Sequence, residues 1–122
     1  MPWTYSQSTG QLRHNGQLVG TGYSGAGLTS ATGRNNPAMQ NIANQGPIPQ
    51  GQWQIGVAYN HPSKGPTVMA LTPVGHNAFG RTAFLIHGNN AQDNASEGCM
   101  IMGPVIRQQI ASSGDTTLTV TP

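Results

Sequence analysis

The chain has 122 residues, with one cysteine, 17 glycines, 9 prolines, only 7% charged residues and a formal net charge of +2. That length suits one domain over residues 1–122 with a core of its own, and a single cysteine excludes an internal disulfide, so packing must hold the fold. The basic residues Arg13, Arg34, Lys64, Arg81 and Arg107 are scattered, which leaves no stripe for nucleic acid, and no apolar run is long enough to span a bilayer.

The Gly, Pro and Asn content predicts short strands joined by tight turns. At the start, Met1 to Tyr5 lacks a basic region followed by an apolar stretch, so the expectation is a protein made in the cytoplasm without a cleaved signal. Strands are expected at about Trp3 to Ser6, Gln11 to His14 and Gln17 to Tyr23. They form a small antiparallel meander, because Asn15-Gly16 fits a two-residue hairpin turn in which both positions take positive φ. From Ser24 to Gly46 apolar periodicity disappears and a long loop is expected, either a flap over a site or a disordered segment. Within it, Asn36-Pro37 offers a cap and a first residue for a short helix over Ala38 to Ala43.

The rigid Gly46-Pro47-Ile48-Pro49-Gln50-Gly51 segment leads into a strand over Gln52 to Tyr59, with Trp53, Ile55, Val57 and Tyr59 on one apolar face. Thr67 to Val74 and Thr82 to His87 read as two more strands, the second ending in His87. Gly103-Pro104 is a start signal, and Met102, Ile106 and Ile110 fall four apart, so a helix is expected over about Pro104 to Ser112, ended by Gly114. Asp115 to Val120 closes as a strand. The expected fold is mainly β, with one or two short helices and no internal repeat.

Three chemistries can be weighed on the residues. The only carboxylates are Asp93, Glu97 and Asp115, too few for an obvious pair of glycosidase acids. His14, His61, His76, His87 and Cys99 fall in no ligand spacing, so no metal is expected. His14 and His61 lie beside turn residues and are expected on the surface, and His76 is left open. The third chemistry is stronger: His87 at a strand end, a polar loop, then Gly98-Cys99, a thiol with an imidazole within reach for covalent acyl transfer. The N–H groups of Gly98 and Cys99 can face a developing oxyanion. Against this, Cys99-Met100-Ile101-Met102 also reads as a packed core segment with an inert thiol.

His87-Gly88, the polar loop and Ser96-Glu97-Gly98-Cys99 resemble the His... Ser/Thr-His-Gly-Cys signature of L,D-transpeptidases of the YkuD-like fold. Gly46-Pro47-Ile48-Pro49-Gln50-Gly51-Gln52-Trp53-Gln54-Ile55 is similar to that family's Thr-Pro-x-Gly-x-Phe-x-Ile segment. Glu97 stands where the signature has its second histidine, Ile101 where Asn or Arg is common, and the loop is shorter. With the Trp3-Thr4-Tyr5 start, the Asn15-Gly16 hairpin and Arg81-Thr82-Ala83-Phe84-Leu85-Ile86-His87-Gly88, the chain resembles the compact branch of type VI secretion L,D-transpeptidase effectors.

The resemblance implies an L,D-transpeptidase-like β-sandwich or barrel and a peptidoglycan-directed enzyme without cofactor. Its substrates would be tetrapeptide stems or their precursors, from which the terminal D-alanine is removed or exchanged for another D-amino acid. It implies Cys99 as nucleophile, His87 as base, the Gly88 carbonyl orienting His87, Gly98 at the oxyanion and Ser96 bonded within the loop. Arg81 and Glu97 would meet the charged ends of the stem. It further implies a secretion-system component, an immunity protein, and action in the periplasm of a target cell. A cysteine peptidase or amidase cutting another cell-wall bond, and a wall-binding β module with a packed thiol, are the alternatives.

Overall fold

The structure is a computed structural model and describes residues 2–122. The strands are β1 (Trp3–Ser6), β2 (Gln11–His14), β3 (Gln17–Thr21), β4 (Tyr23–Ser24), β5 (Gly51–Ile55), β6 (Tyr59–His61), β7 (Gly65–Val74), β8 (Leu85–His87), β9 (Met100–Ile101) and β10 (Thr117–Thr121), with one α-helix, α1 (Pro104–Ser112). The fold is mainly β: a single mixed sheet in the order β3-β2-β1-β10-β5-β7-β8-β9-β4, with β6 added to β7. Most neighbours are antiparallel, whereas β1 and β10, and β8 and β9, run parallel. The two ends of this path, β3 and β4, are separated in the chain only by Gly22, so the sheet curls back toward itself as a barrel does.

Period-two patterning explains the elements that match expectation. Trp3 and Tyr5 of β1, Leu118 and Val120 of β10, and Trp53 and Ile55 of β5 alternate with more exposed residues and share one core with Ile48, Met69, Ile86, Met100 and Met102. Asn15 (φ 53°) and Gly16 (φ 79°) form the hairpin turn between β2 and β3. The helix spans Pro104–Ser112 with proline in its first turn and turns Ile110 and Arg107 inward.

Four expectations are corrected. The strand drawn from Gln17 to Tyr23 breaks at Gly22, whose N–H donates to the Gly10 carbonyl; a Cβ there would collide with the Ile101 carbonyl, so the chain turns from one sheet edge to the other. The helix expected over Ala38 to Ala43 is a 3-10 turn at Pro37–Met39, capped by Asn36 Oδ1 accepting from the Ala38 N–H at 3.1 Å. The strand expected from Gln52 to Tyr59 is interrupted after Ile55: the Gly56 N–H still bonds the Ala70 carbonyl in the β5–β7 register, but Val57 is 90% exposed, and the chain pairs with β7 again only from Tyr59, as β6. Finally, Thr82 to Phe84 is irregular, with Ala83 at φ 67°, and only Leu85–His87 joins the sheet. The segment from Ser24 to Gly46 has no strand beyond its first residue, yet it is tied down. Ser24 Oγ accepts from the Ile48 N–H at 2.8 Å, and the Ala26 N–H bonds the Gln45 carbonyl at 2.8 Å.

Candidate active site

The pairing of β8 with β9 sets the geometry. Ile86 lies opposite Met100, and His87 opposite Ile101. Ile86 and Met100 are fully buried on the core side. Alternation then turns Leu85, His87 and Cys99 to the other face, toward a cleft of about 780 Å³. Arg81, His87, Gly88, Glu97, Gly98 and Cys99 all line this cleft, together with Lys64, Asn89 and Asn90 and with Ala43 and Asn44 of the long loop. Of the residues expected to form the site, only Ser96 is not on the cleft wall.

His87 is 1% exposed and its Nδ1 lies 2.8 Å from the Gly88 carbonyl. A carbonyl can only accept, so Nδ1 carries the hydrogen and Nε2 presents its lone pair. That Nε2 is buried without a hydrogen-bond partner. Burial holds the imidazole below its ordinary pKa, with the Gly88 carbonyl opposing this and the positive Lys64 and Arg107 reinforcing it. The ring is therefore a neutral base at neutral pH. Behind it, Arg107 donates from Nε to the Met102 carbonyl at 3.0 Å and from Nη1 to the Pro66 carbonyl at 2.7 Å. A Cβ on Gly88 would come within 2.9 Å of its Nη2, so the backbone at Gly88 rests closely on this guanidinium.

Cys99 is partly exposed, and its Sγ donates to the Ala83 carbonyl at 3.7 Å rather than to His87. Burial raises the thiol above its ordinary pKa, with the Leu85 backbone hydrogen bond opposing that rise. The resting pair is thus thiol and imidazole, not thiolate and imidazolium. Cys99 and His87 line one cleft, His87 at the end of β8 and Cys99 directly before β9, with no hydrogen bond between them.

Ser96, 2% exposed, organises the turn that carries Cys99. Its Oγ accepts the N–H of Gly25 at 2.9 Å and of Gly98 at 3.0 Å, and donates to the Cys99 carbonyl at 2.7 Å. The Gly98 carbonyl accepts Ser24 Oγ at 2.9 Å. This corrects the role drawn for Gly98: its N–H is taken by Ser96 and is not aimed at an oxyanion. Glycine is needed there for conformation, since φ is +142° and a Cβ would press on Arg81 and Phe84.

Arg81 is corrected as well. Its Nη1 donates to the carbonyls of Gln40 (2.6 Å) and Pro47 (2.9 Å), and its Nη2 to those of Gly46 (3.0 Å) and Glu97 (3.3 Å). All four Nη hydrogens have acceptors, so no fork is left for a substrate carboxylate. Arg81 instead clamps residues 40–47 to the turn before Cys99. Glu97 turns its side chain outward, exposed at the rim of the cleft.

The other histidines lie apart from this site. His14 stacks on Trp3 at 4.0 Å and meets Asp115 at 3.1 Å, His76 Nε2 donates to the Gln52 carbonyl at 2.9 Å, and His61 Nδ1 accepts the N–H groups of Ser63 and Lys64 at 3.1 Å. Among the described residues no three His, Cys, Asp or Glu side chains gather as a metal site.

Two groups escaped the sequence reading. Lys64 reaches the cleft from the β6–β7 turn, and a lone lysine among five dispersed basic residues carries no signal of that placement. Tyr23 and Arg34 brace the loop between His87 and Cys99: Tyr23 OH donates to Asn89 Oδ1 at 2.6 Å and accepts the Ala95 N–H at 2.8 Å, while Arg34 lies 3.5 Å over the Tyr23 ring and pairs with Asp93 at 3.3 Å. Only the position of Tyr23 at a strand end hinted at this.

Residues 19–120 match the family model of the Tlde1 domain, a family of type VI secretion effectors. No curated protein matches the chain.

Proposed function

The chain belongs to the Tlde1 domain family, effectors of type VI secretion, and on that premise we propose that it is a cysteine L,D-carboxypeptidase and L,D-transpeptidase acting on peptidoglycan tetrapeptide stems. The observation that carries the reading is the buried, unpartnered Nε2 of His87 on the same cleft as Cys99. A base with its lone pair unspoken for, on one cleft with a thiol that directly precedes the neighbouring strand, supplies the two groups that nucleophilic acyl transfer requires.

In the proposed reaction Cys99 turns about its Cα–Cβ bond, away from the Ala83 carbonyl and toward Nε2, a tightening common when substrate fills a site. The thiol proton passes to Nε2, and the sulfur attacks the carbonyl of the residue preceding D-alanine. The Cys99 N–H is the backbone donor assigned to the oxyanion, a contribution of roughly 3 kcal/mol. Collapse breaks the C–N bond, and His87 returns the proton to the departing amine, leaving a thioester. Water, deprotonated by His87, then gives the tripeptide and the free thiol; the amine of a D-amino acid gives the exchanged stem instead. Delivery through the secretion machine, action in the periplasm of a target cell and protection of the producer by an immunity protein complete the proposal.

Incubation with a purified disaccharide tetrapeptide, with and without a D-amino acid, followed by mass spectrometry, tests it. Loss or exchange of the terminal D-alanine is expected. Cys99→Ala should abolish it and His87→Ala should slow acylation about 10²–10⁴-fold with the fold intact. Full turnover by Cys99→Ala removes the nucleophile, and cleavage elsewhere in the stem identifies a peptidase or amidase of another specificity.

A further inference from the structure

The cleft has an unused positive charge. Two cationic side chains line it, Arg81 and Lys64, and the Nη donors of Arg81 are all taken by backbone carbonyls. Lys64 is different. It stands in the turn between β6 and β7, where His61 Nδ1 accepts the N–H groups of Ser63 and Lys64, each at 3.1 Å, so its backbone is held while its side chain is exposed. The other carboxylates on the described surface are engaged elsewhere, Asp93 with Arg34 and Asp115 with His14. Glu97, the third, lies on the rim of the same cleft and forms no ion pair with Lys64 among the described residues. The cleft therefore offers one ammonium and one carboxylate, unpaired with each other, around the thiol.

We infer that Lys64 forms the subsite for the free α-carboxylate of the residue that leaves, and of the D-amino acid that replaces it. This rests on the proposed reaction at Cys99. An ammonium at the end of a four-carbon stem suits such a carboxylate as a point charge in a partly open cleft. Nearness to the reacting groups is reflected in Lys64 acting electrostatically on both His87 and Cys99, which line the cleft with it. A subsite of this kind makes the enzyme an exopeptidase: a stem whose last residue is amidated or extended lacks the charge at that point.

The test compares cleavage of the disaccharide tetrapeptide with that of the same molecule carrying a C-terminal carboxamide. The wild type should prefer the acid by about tenfold in kcat/KM, the scale of one charge-assisted hydrogen bond. Lys64→Gln should bring that preference close to unity through KM, Lys64→Arg should restore most of it, and the thermal midpoint should stay put because the side chain is exposed. An undiminished preference for the acid in Lys64→Gln overturns the subsite while leaving the reaction standing. Failure of the wild type to cleave either stem overturns the reaction, and the subsite with it.

Discussion

The Gly88 carbonyl fixes which nitrogen of His87 carries hydrogen, and burial fixes how readily the other takes one up. Because the folded pKa lies below the ordinary 6.5, the folded protein binds this proton less readily than the unfolded chain. Two consequences follow from the sign. The stability contributed by the neutral ring is complete above pH 6.5 and is lost as pH falls toward the folded value. The acid limb of kcat/KM should likewise have its midpoint below 6.5, since the protonated ring cannot accept from the thiol. Cys99 shifts the other way, above its ordinary 9.0, so alkylation by iodoacetamide should keep rising with pH past 9.0. A plateau of alkylation already reached near neutrality would mean a resting thiolate and imidazolium, and would refute the neutral pair. The histidine and the cysteine were legible as a pair because each lies next to a glycine at the edge of an apolar run. Of the three bonds made by the Ser96 hydroxyl, the two within the loop, to Gly98 and Cys99, agree with the expectation for Ser96; the third was not legible, because nothing in a serine's identity says that its oxygen will meet Gly25, far away in the chain.

Between His87 and Cys99 the chain must leave β8 and return to β9, and two side chains from distant elements hold the excursion. Tyr23 bridges Asn89 and Ala95 with one hydroxyl, and Arg34 covers its ring while reaching Asp93. Tyr23→Phe keeps the ring contact and removes both bonds, so stability should fall by about 1–2 kcal/mol. Amide hydrogen exchange at Ala95 should quicken and turnover of the tetrapeptide should drop several-fold; unchanged exchange at Ala95 would show that the loop is held by other means. This brace also marks where sequence reading stopped. Elements dictated by local chemistry were readable: the Asn15-Gly16 hairpin, the proline-started helix and the alternation in β1 and β10. Elements dictated by a distant partner were not. Gly56 still keeps the β5–β7 register through its bond to the Ala70 carbonyl, yet Val57 after it, which alternation puts on the apolar face, lies in solvent. Ala83 carries no sign of its positive φ, although its carbonyl receives the Cys99 thiol.

The sheet makes one cooperative body out of segments far apart in sequence, and β10 is its joint. Leu118 lies opposite Trp3 on one side and Trp53 on the other, fully buried, so the closing strand ties the opening meander to the β5-β7-β8-β9 half that carries the cleft. Leu118→Ala should therefore lower the unfolding free energy by about 2–5 kcal/mol, through lost burial and the cavity left between two indoles. The chain has two tryptophans, and both flank this leucine, so their fluorescence reports the joint while D-alanine release reports the cleft three strands away. If the sheet is one unit, urea should abolish both signals at the same midpoint, in the wild type and, lower, in Leu118→Ala. Activity that outlasts the tryptophan signal would mean that the cleft half stands without the meander. In that case the parallel pairing of β1 with β10 would be an attachment to the body that carries the cleft and not part of its core.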